Sequence, residues 1–187
     1  MSAEQTGTEL TRWTIHNERL VDDTRKMRVS IAQVELPDGV TFEQWVLRTP
    51  KAAMMAIVDD QNRVLMMWRH RFIIDKWAWE LPGGWVDPND PDPEATAVRE
   101  VEEETGWRPK SVQRIGSFQP MVGTADAENV IFLGMGAEYV GTPQDINEAE
   151  RIAWIELGTV RNRIAKGEIV GAASQIALLH LLAFDVR

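Results

Sequence analysis

Residues 99–106 read Arg99-Glu100-Val101-Glu102-Glu103-Glu104-Thr105-Gly106. On a helix, Glu100, Glu103 and Glu104 are related by steps of three and four, so their carboxylates leave one face within roughly a third of the circumference. Glu102 falls on the opposite side. Ala97, Val98 and Val101 form an adjoining apolar arc that can bury against a sheet and hold the carboxylates at the edge of a core. Like charges so spaced repel by roughly 0.2–0.5 kcal/mol per exposed pair, more as water is excluded, so a positive charge belongs among them. Oxygen donors alone, on one rigid face, suit a hard cation such as Mg²⁺ or Mn²⁺. A cation held there can bridge phosphate oxygens and acidify a bound water, the chemistry that a phosphoanhydride hydrolase needs. Arg99, four residues before Glu103, can pair with it and fix its rotamer, an orienting role. The side-chain-free Gly83-Gly84 loop can bring a backbone carbonyl close to the ion.

The frame around this run follows from its punctuation. Asp92 and Pro93 are an N-cap and a first-turn proline, and Gly106 is a C-cap, so a helix is predicted over 93–105. Upstream, alternating apolar and polar residues predict a hairpin of strands over 27–36 and 41–47 across Pro37-Asp38-Gly39. A second pair, 52–58 and 64–68, flanks the turn-forming Asp59-Asp60-Gln61-Asn62. A short strand over 77–81 ends at Pro82, and a loop runs over 83–92. Downstream, strands are predicted over 112–118, 130–137 and 152–155, and helices over 160–166 and 172–184. Many strands with few helices indicate an α+β layered domain. Residues 1–9 are polar and aperiodic and read as a disordered tail. Residues 10–187 read as a single domain with an N-terminal strand extension over about 10–50.

Composition narrows the chemistry. Twenty Lys and Arg against twenty-nine Asp and Glu leave a net charge of −9, which disfavours nucleic acid as a general partner. There is no cysteine, so disulfides and thiolate metal sites are excluded. The polar, acidic start has neither the apolar core nor the positive flank of a signal peptide, and no apolar run reaches membrane-spanning length. These features point to a cytoplasmic protein with no membrane partner.

The chain resembles the Nudix family, whose signature runs Gly, five residues, Glu, seven residues, then Arg-Glu-aliphatic-any-Glu-Glu-any-Gly-aliphatic. Gly84 and Arg99 through Trp107 match it, with one departure. Five residues after Gly84 comes Asp90, and seven residues before Arg99 leaves Pro91 at the Glu position, so the loop carries one extra residue, and Asp90 and Asp92 are the possible substitutes. The resemblance implies an α/β/α sandwich with a mixed sheet, with Glu100, Glu103 and Glu104 and the Gly83 carbonyl as metal ligands. Looser similarity favours the branch that hydrolyses ADP-ribose and nucleotide sugars. It is carried by the N-terminal hairpin, Trp77-Ala78-Trp79-Glu80-Leu81-Pro82-Gly83-Gly84, the signature helix, and the loop Pro120 to Glu128. That branch implies a homodimer sharing its N-terminal strands, Arg28 to Leu47 here. It also implies a catalytic base from an acidic loop resembling 145–150, where Glu148 is preferred, with Glu150 and Glu103 as alternatives.

Remaining residues admit two readings each. The acidic helix is either a solvated face or a metal site, and its surrounding Gly83-Gly84, Arg99 and Gly106 favour the metal. Arg69-His70-Arg71 is a surface cluster or meets substrate phosphates, Arg69 foremost. Trp45 packs or stacks on a nucleobase, and Glu128 closes the loop that the branch uses near substrate. Glu80 is a surface residue or supports the metal site. His16, His70 and His180 are isolated, so zinc is not suggested, and the many Met and Trp residues read as core filler. The substrate implied is a nucleoside diphosphate linked to another moiety. Competing readings are a nucleoside triphosphate pyrophosphohydrolase and a non-catalytic nucleotide-sensing domain.

Overall fold

A computed structural model describes residues 12–143 and 149–184, so the tail predicted over 1–9 lies outside the described residues. The chain forms two compact units, one of residues up to Thr49 together with Met121–Asp126, the other of Pro50–Pro120 and Ala127 onward.

The first unit is a four-stranded sheet in the order β1 (Thr14–Asp22), β2 (Arg28–Glu35), β3 (Thr41–Arg48), β9 (Ala125–Asp126). β2 and β3 form the predicted hairpin, with Glu35 opposite Thr41 and Arg28 opposite Arg48. Its turn is closed by Leu36 N–H donating to Val40 O at 2.8 Å, with Gly39 at φ 85°, a backbone that favours glycine. β1 is exposed along nearly its whole length, so it shows no alternating apolar face, and the sequence pattern missed it. What anchors it is polar: Glu18 accepts from Ser30 Oγ at 2.6 Å and from Arg48 Nη2 at 2.7 Å, tying β1 to β2 and β3.

The second unit holds a mixed sheet in the order β11 (Arg151–Glu156), β5 (Arg63–Arg71), β4 (Ala52–Val58), β10 (Asn129–Tyr139), β8 (Trp107–Phe118). β4 and β10 run parallel and the other neighbours antiparallel. β4 is apolar throughout because both of its faces are covered. Ala53, Met55 and Ile57 pack with Ala97 and Val101 of α1 (Pro93–Thr105). Ala56 and Val58 pack with Val160 of α2 (Val160–Ala165) and with Ala177, Leu178 and Leu181 of α3 (Ala172–Phe184). Helices on both faces of a mixed sheet make the α/β/α layering of an α+β fold, as expected. Fully burying a side chain the size of Val101 contributes about 1.5–3 kcal/mol, which helps fix α1 against the sheet and leaves its acidic side at the margin.

Two expectations need correction. The predicted loop over 83–92 begins as a strand, β7 (Gly83–Trp85), in which Gly83 pairs with Met54 and Gly84 with Ala53. Glycines carry no apolar pattern, so this pairing had no signature. The tryptophans are not uniformly core filler: Trp79 is buried, but Trp13, Trp45, Trp77 and Trp85 are exposed. Among the described residues no helix is long and apolar enough to cross a membrane.

Candidate active site

Local structure delivers the acidic side of α1 to a fixed place. Asp92 caps the helix, its Oδ1 accepting from Ala95 N–H at 2.8 Å, and Pro93 follows in the first turn. At the far end Gly106 turns left-handed at φ 74° and its N–H donates to Glu102 O at 2.9 Å. A Cβ at Gly106 would collide with Gly141 O, so the signature glycine is required by space as well as by dihedral. Between these caps Ala97 and Val101 are fully buried, which fixes the helix rotation and sets Glu100 against Gly84 and Glu104 against Gly83 of β7.

Arg99 is the hub. Its Nη1 donates to Glu103 Oε2 at 2.7 Å, while its Nη2 lies 2.9 Å from Glu100 Oε1 and 3.0 Å from Asp90 Oδ2. Of the two possible substitutes for the displaced signature Glu, Asp90 contacts Arg99 and Asp92 is used as the cap. Asp90 also accepts from Thr96 Oγ1 at 2.8 Å, a contact that spacing did not reveal. The Arg99 guanidinium, then the Thr96 hydroxyl, hold the Asp90 carboxyl below its ordinary value. Hydrogen bonding to Asp90, ahead of the opposing effect of burial, raises Arg99. A carboxyl lowered in the folded state stabilises the fold above its ordinary value and loses that contribution as pH falls through the lowered value. The Asp90→Asn variant is therefore expected to show a flatter decline of melting temperature below about pH 4, where free aspartate titrates. Parallel acid-melting curves for the two proteins would show Asp90 to be uninvolved.

The glycines make room for this cluster. A Cβ on Gly84 would lie 2.6–2.8 Å from the Glu100 carboxylate atoms, so only glycine lets the carboxylate rest on β7. Gly83 N–H donates to Glu104 Oε2 at 2.8 Å, and Glu104 Oε1 accepts from Arg69 Nη2 at 2.6 Å. Glu80 accepts from Arg71 Nε at 3.0 Å and stands 4.0 Å from Arg69 Nε, which links it to the same network.

The donor set fits a hard divalent cation. Five carboxylates, Glu80, Asp90, Glu100, Glu103 and Glu104, face three guanidiniums, Arg69, Arg71 and Arg99, an excess of two negative charges within this set. All donors are oxygens, and the Gly84 cradle keeps Glu100 against backbone. Among the described residues no three acidic or imidazole groups are gathered as a coordination sphere, and each carboxylate here is paired with an arginine.

The other predicted residues fall in different places. Arg69 is 6% exposed and directed at Glu104, so its guanidinium is not presented to a phosphate arriving from solvent, whereas Arg71, two residues on, is half-exposed. The pairing of β5 with β6 (Lys76–Glu80) sets Arg71 opposite Lys76 and Glu80 opposite Met67, so the Arg71–Glu80 contact runs along the strand pair rather than directly across it, and the sequence pattern did not reveal it. Glu128 is paired with Lys51 at 2.8 Å, which lowers its carboxyl, in a cavity of about 260 Å³ shared with Arg114, Asp92, Glu94 and Phe132. Trp45 belongs to the first unit, exposed beside Arg48, Val122 and Asp126. Glu148 lies outside the described residues. Glu150 is exposed immediately before β11, and its N–H donates to the O of Trp68, the neighbour of Arg69 in sequence, at 2.9 Å.

A family model described as the NUDIX domain matches residues 48–172. A CMP-5'-(N-acetyl-N-hydroxy-3-aminopropyl)phosphonate hydrolase of Streptomyces rubellomurinus is 44% identical over 171 residues, covering 91% of this chain and 82% of its own. An ADP-ribose pyrophosphatase of Mycobacterium tuberculosis is 28% identical over 153 residues, 81% of this chain and 72% of its own. A crystal structure of an ADP compounds hydrolase superposes with a TM-score of 0.82 over 95% of this chain and 96% of that one, at 17% identity, a likeness of fold.

Proposed function

The chain belongs to the Nudix family of hydrolases, and from that premise we propose that it cleaves the phosphoanhydride of a nucleoside 5′-phosphate joined through a second phosphorus to another moiety. The observation that carries this reading is the Arg99-centred carboxylate cluster seated on Gly84. In it, Glu100, Glu103 and Glu104, with the Gly83 carbonyl, would hold Mg²⁺ or Mn²⁺. When bound, the ion would supply charge neutralisation on the anhydride and activation of the attacking water. Arg99 keeps Glu103 and Glu100 in register, and Asp90 keeps Arg99 in register. Arg71, rather than the buried Arg69, is placed to meet a substrate phosphate. The proton of the attacking water goes to a carboxylate, with Glu150 and Glu103 the described candidates and Glu148 the third.

Two substrate classes follow. ADP-ribose or a nucleotide sugar is the reading from the branch resemblance, giving a nucleoside monophosphate and a sugar phosphate. A nucleotidyl phosphonate is favoured by the 44% identical relative named for that activity. Both contain the same P–O–P linkage. Incubation in ¹⁸O water with Mg²⁺, across ADP-ribose, nucleotide sugars, a CMP-linked alkylphosphonate and nucleoside triphosphates, distinguishes them. The expected outcome is a nucleoside monophosphate plus a phosphorylated or phosphonate product from one of the first three. Pyrophosphate released from triphosphates alone would replace this reading, and no turnover across the panel would remove it. The same reading makes the protein a homodimer assembled through the strands from Arg28 to Leu47, which light scattering in solution tests.

A further inference from the structure

Arg69 and Glu104 are both buried, at 6% and 3% exposure, with Nη2 and Oε1 2.6 Å apart. The second oxygen of Glu104 is held by Gly83 N–H at 2.8 Å, so both of its oxygens are engaged from within the fold. Met67 Sδ, also buried, lies 3.1 Å from the same Nη2, and Glu80 stands 4.0 Å from Nε. Arginine does not release its proton at any ordinary pH, so the positive charge stays in place whatever else binds nearby. A buried carboxylate without a counter-charge is costly, and a fixed cation a few ångströms from a divalent ion repels it. These two effects act in opposite directions on the apo and the metal-loaded protein.

We propose that Arg69 is a positioning residue that sets the divalent-ion affinity of the site: it is the counter-ion of Glu104 while no metal is bound, and it tempers the pull of that carboxylate on the metal. The inference rests on the metal-dependent reading above and extends it to a residue that touches no substrate. It also explains why an arginine next to the site points inward. A guanidinium reserved for phosphate would face the opening, as the half-exposed Arg71 does.

The test is calorimetric titration of metal-stripped wild type, Arg69→Gln and Arg69→Lys with Mn²⁺, alongside thermal unfolding without metal. Arg69→Gln keeps a hydrogen-bond donor and loses the charge, so its apo form is expected to melt about 10 °C lower. Its Mn²⁺ affinity is expected to rise about tenfold, since the repelling charge is gone. Arg69→Lys keeps the charge and is expected to stay within about threefold of wild-type affinity. A purely structural arginine would give the lower melting temperature with unchanged or weaker Mn²⁺ binding, and that result overturns the inference. Should Arg69→Gln fold only when Mn²⁺ is supplied, the dependence supports it, because the ion then replaces the missing counter-charge. Failure to fold even with Mn²⁺ overturns it. No Mn²⁺ uptake by the wild type would instead remove the metal reading itself, so the two failures are distinguishable.

Discussion

Glu100→Gln is expected to slow turnover about a thousandfold while leaving the melting temperature nearly unchanged, because metal-borne charge stabilisation is worth several kcal/mol and each ~1.4 kcal/mol is tenfold in rate. Gln has the shape of Glu and can occupy the same space over Gly84, where no Cβ competes with it. It can still meet Arg99 through its carbonyl, so packing of α1 is undisturbed. What it loses is the negative charge that a divalent ion requires. Glu102→Gln provides the contrast on the same helix. Glu102 lies on the other side, paired with the exposed Arg108 at 2.8 Å, and exposed pairs are worth little, so kcat should hardly move. Steady-state rates of the two variants at saturating Mg²⁺ decide the matter. Equal losses, or no loss at Glu100, would mean that the helix face does not carry the chemistry.

Gly83→Ala is expected to lower stability by about 3 kcal/mol, combining backbone strain with overpacking, and the melting temperature by about 10 °C. Gly83 sits at φ 150°, and a Cβ there would collide with Ala53 O and lie 2.7 Å from Met54 Cα, both backbone atoms of β4 that cannot turn aside. Gly84→Ala meets something different, the carboxylate tip of Glu100, a side chain that can swing. The neighbouring substitution should therefore keep a near-native melting temperature and lose activity by displacing Glu100. Differential scanning calorimetry of the two variants tests the pairing of β7 with β4. A wild-type transition for Gly83→Ala would show that β7 does not approach β4 this closely.

The elements that were legible from sequence are those whose punctuation is local. α1 was readable, within a few residues at each end, because Asp92, Pro93 and Gly106 each favour a backbone conformation by their own chemistry. β4 was readable from its unbroken apolar run. β1 and β7 were not, since one is polar and exposed and the other is glycine, and neither carries a period-two apolar face. The same division holds in the site. The i,i+4 pairing of Arg99 with Glu103 follows from helix geometry alone. The N-cap role of Asp92 was readable from sequence, but the contact of Asp90 with Arg99 depended on how residues 86–92 fold back, which spacing does not encode. Arg69 and Arg71, two residues apart on β5, leave the same face, so alternation could not say that Arg69 is covered while Arg71, at the strand's end, is half-exposed.

The most direct test of the metal site is the electron paramagnetic resonance signal of free Mn²⁺ during titration into metal-stripped protein, wild type against Glu100→Gln/Glu103→Gln. The expected result is depletion of the free-ion signal by the wild type and none by the double variant, with both proteins showing the same folded circular dichroism spectrum. Equal depletion by the two, or none by either even with nucleotide present, would contradict the placement of the ion on α1.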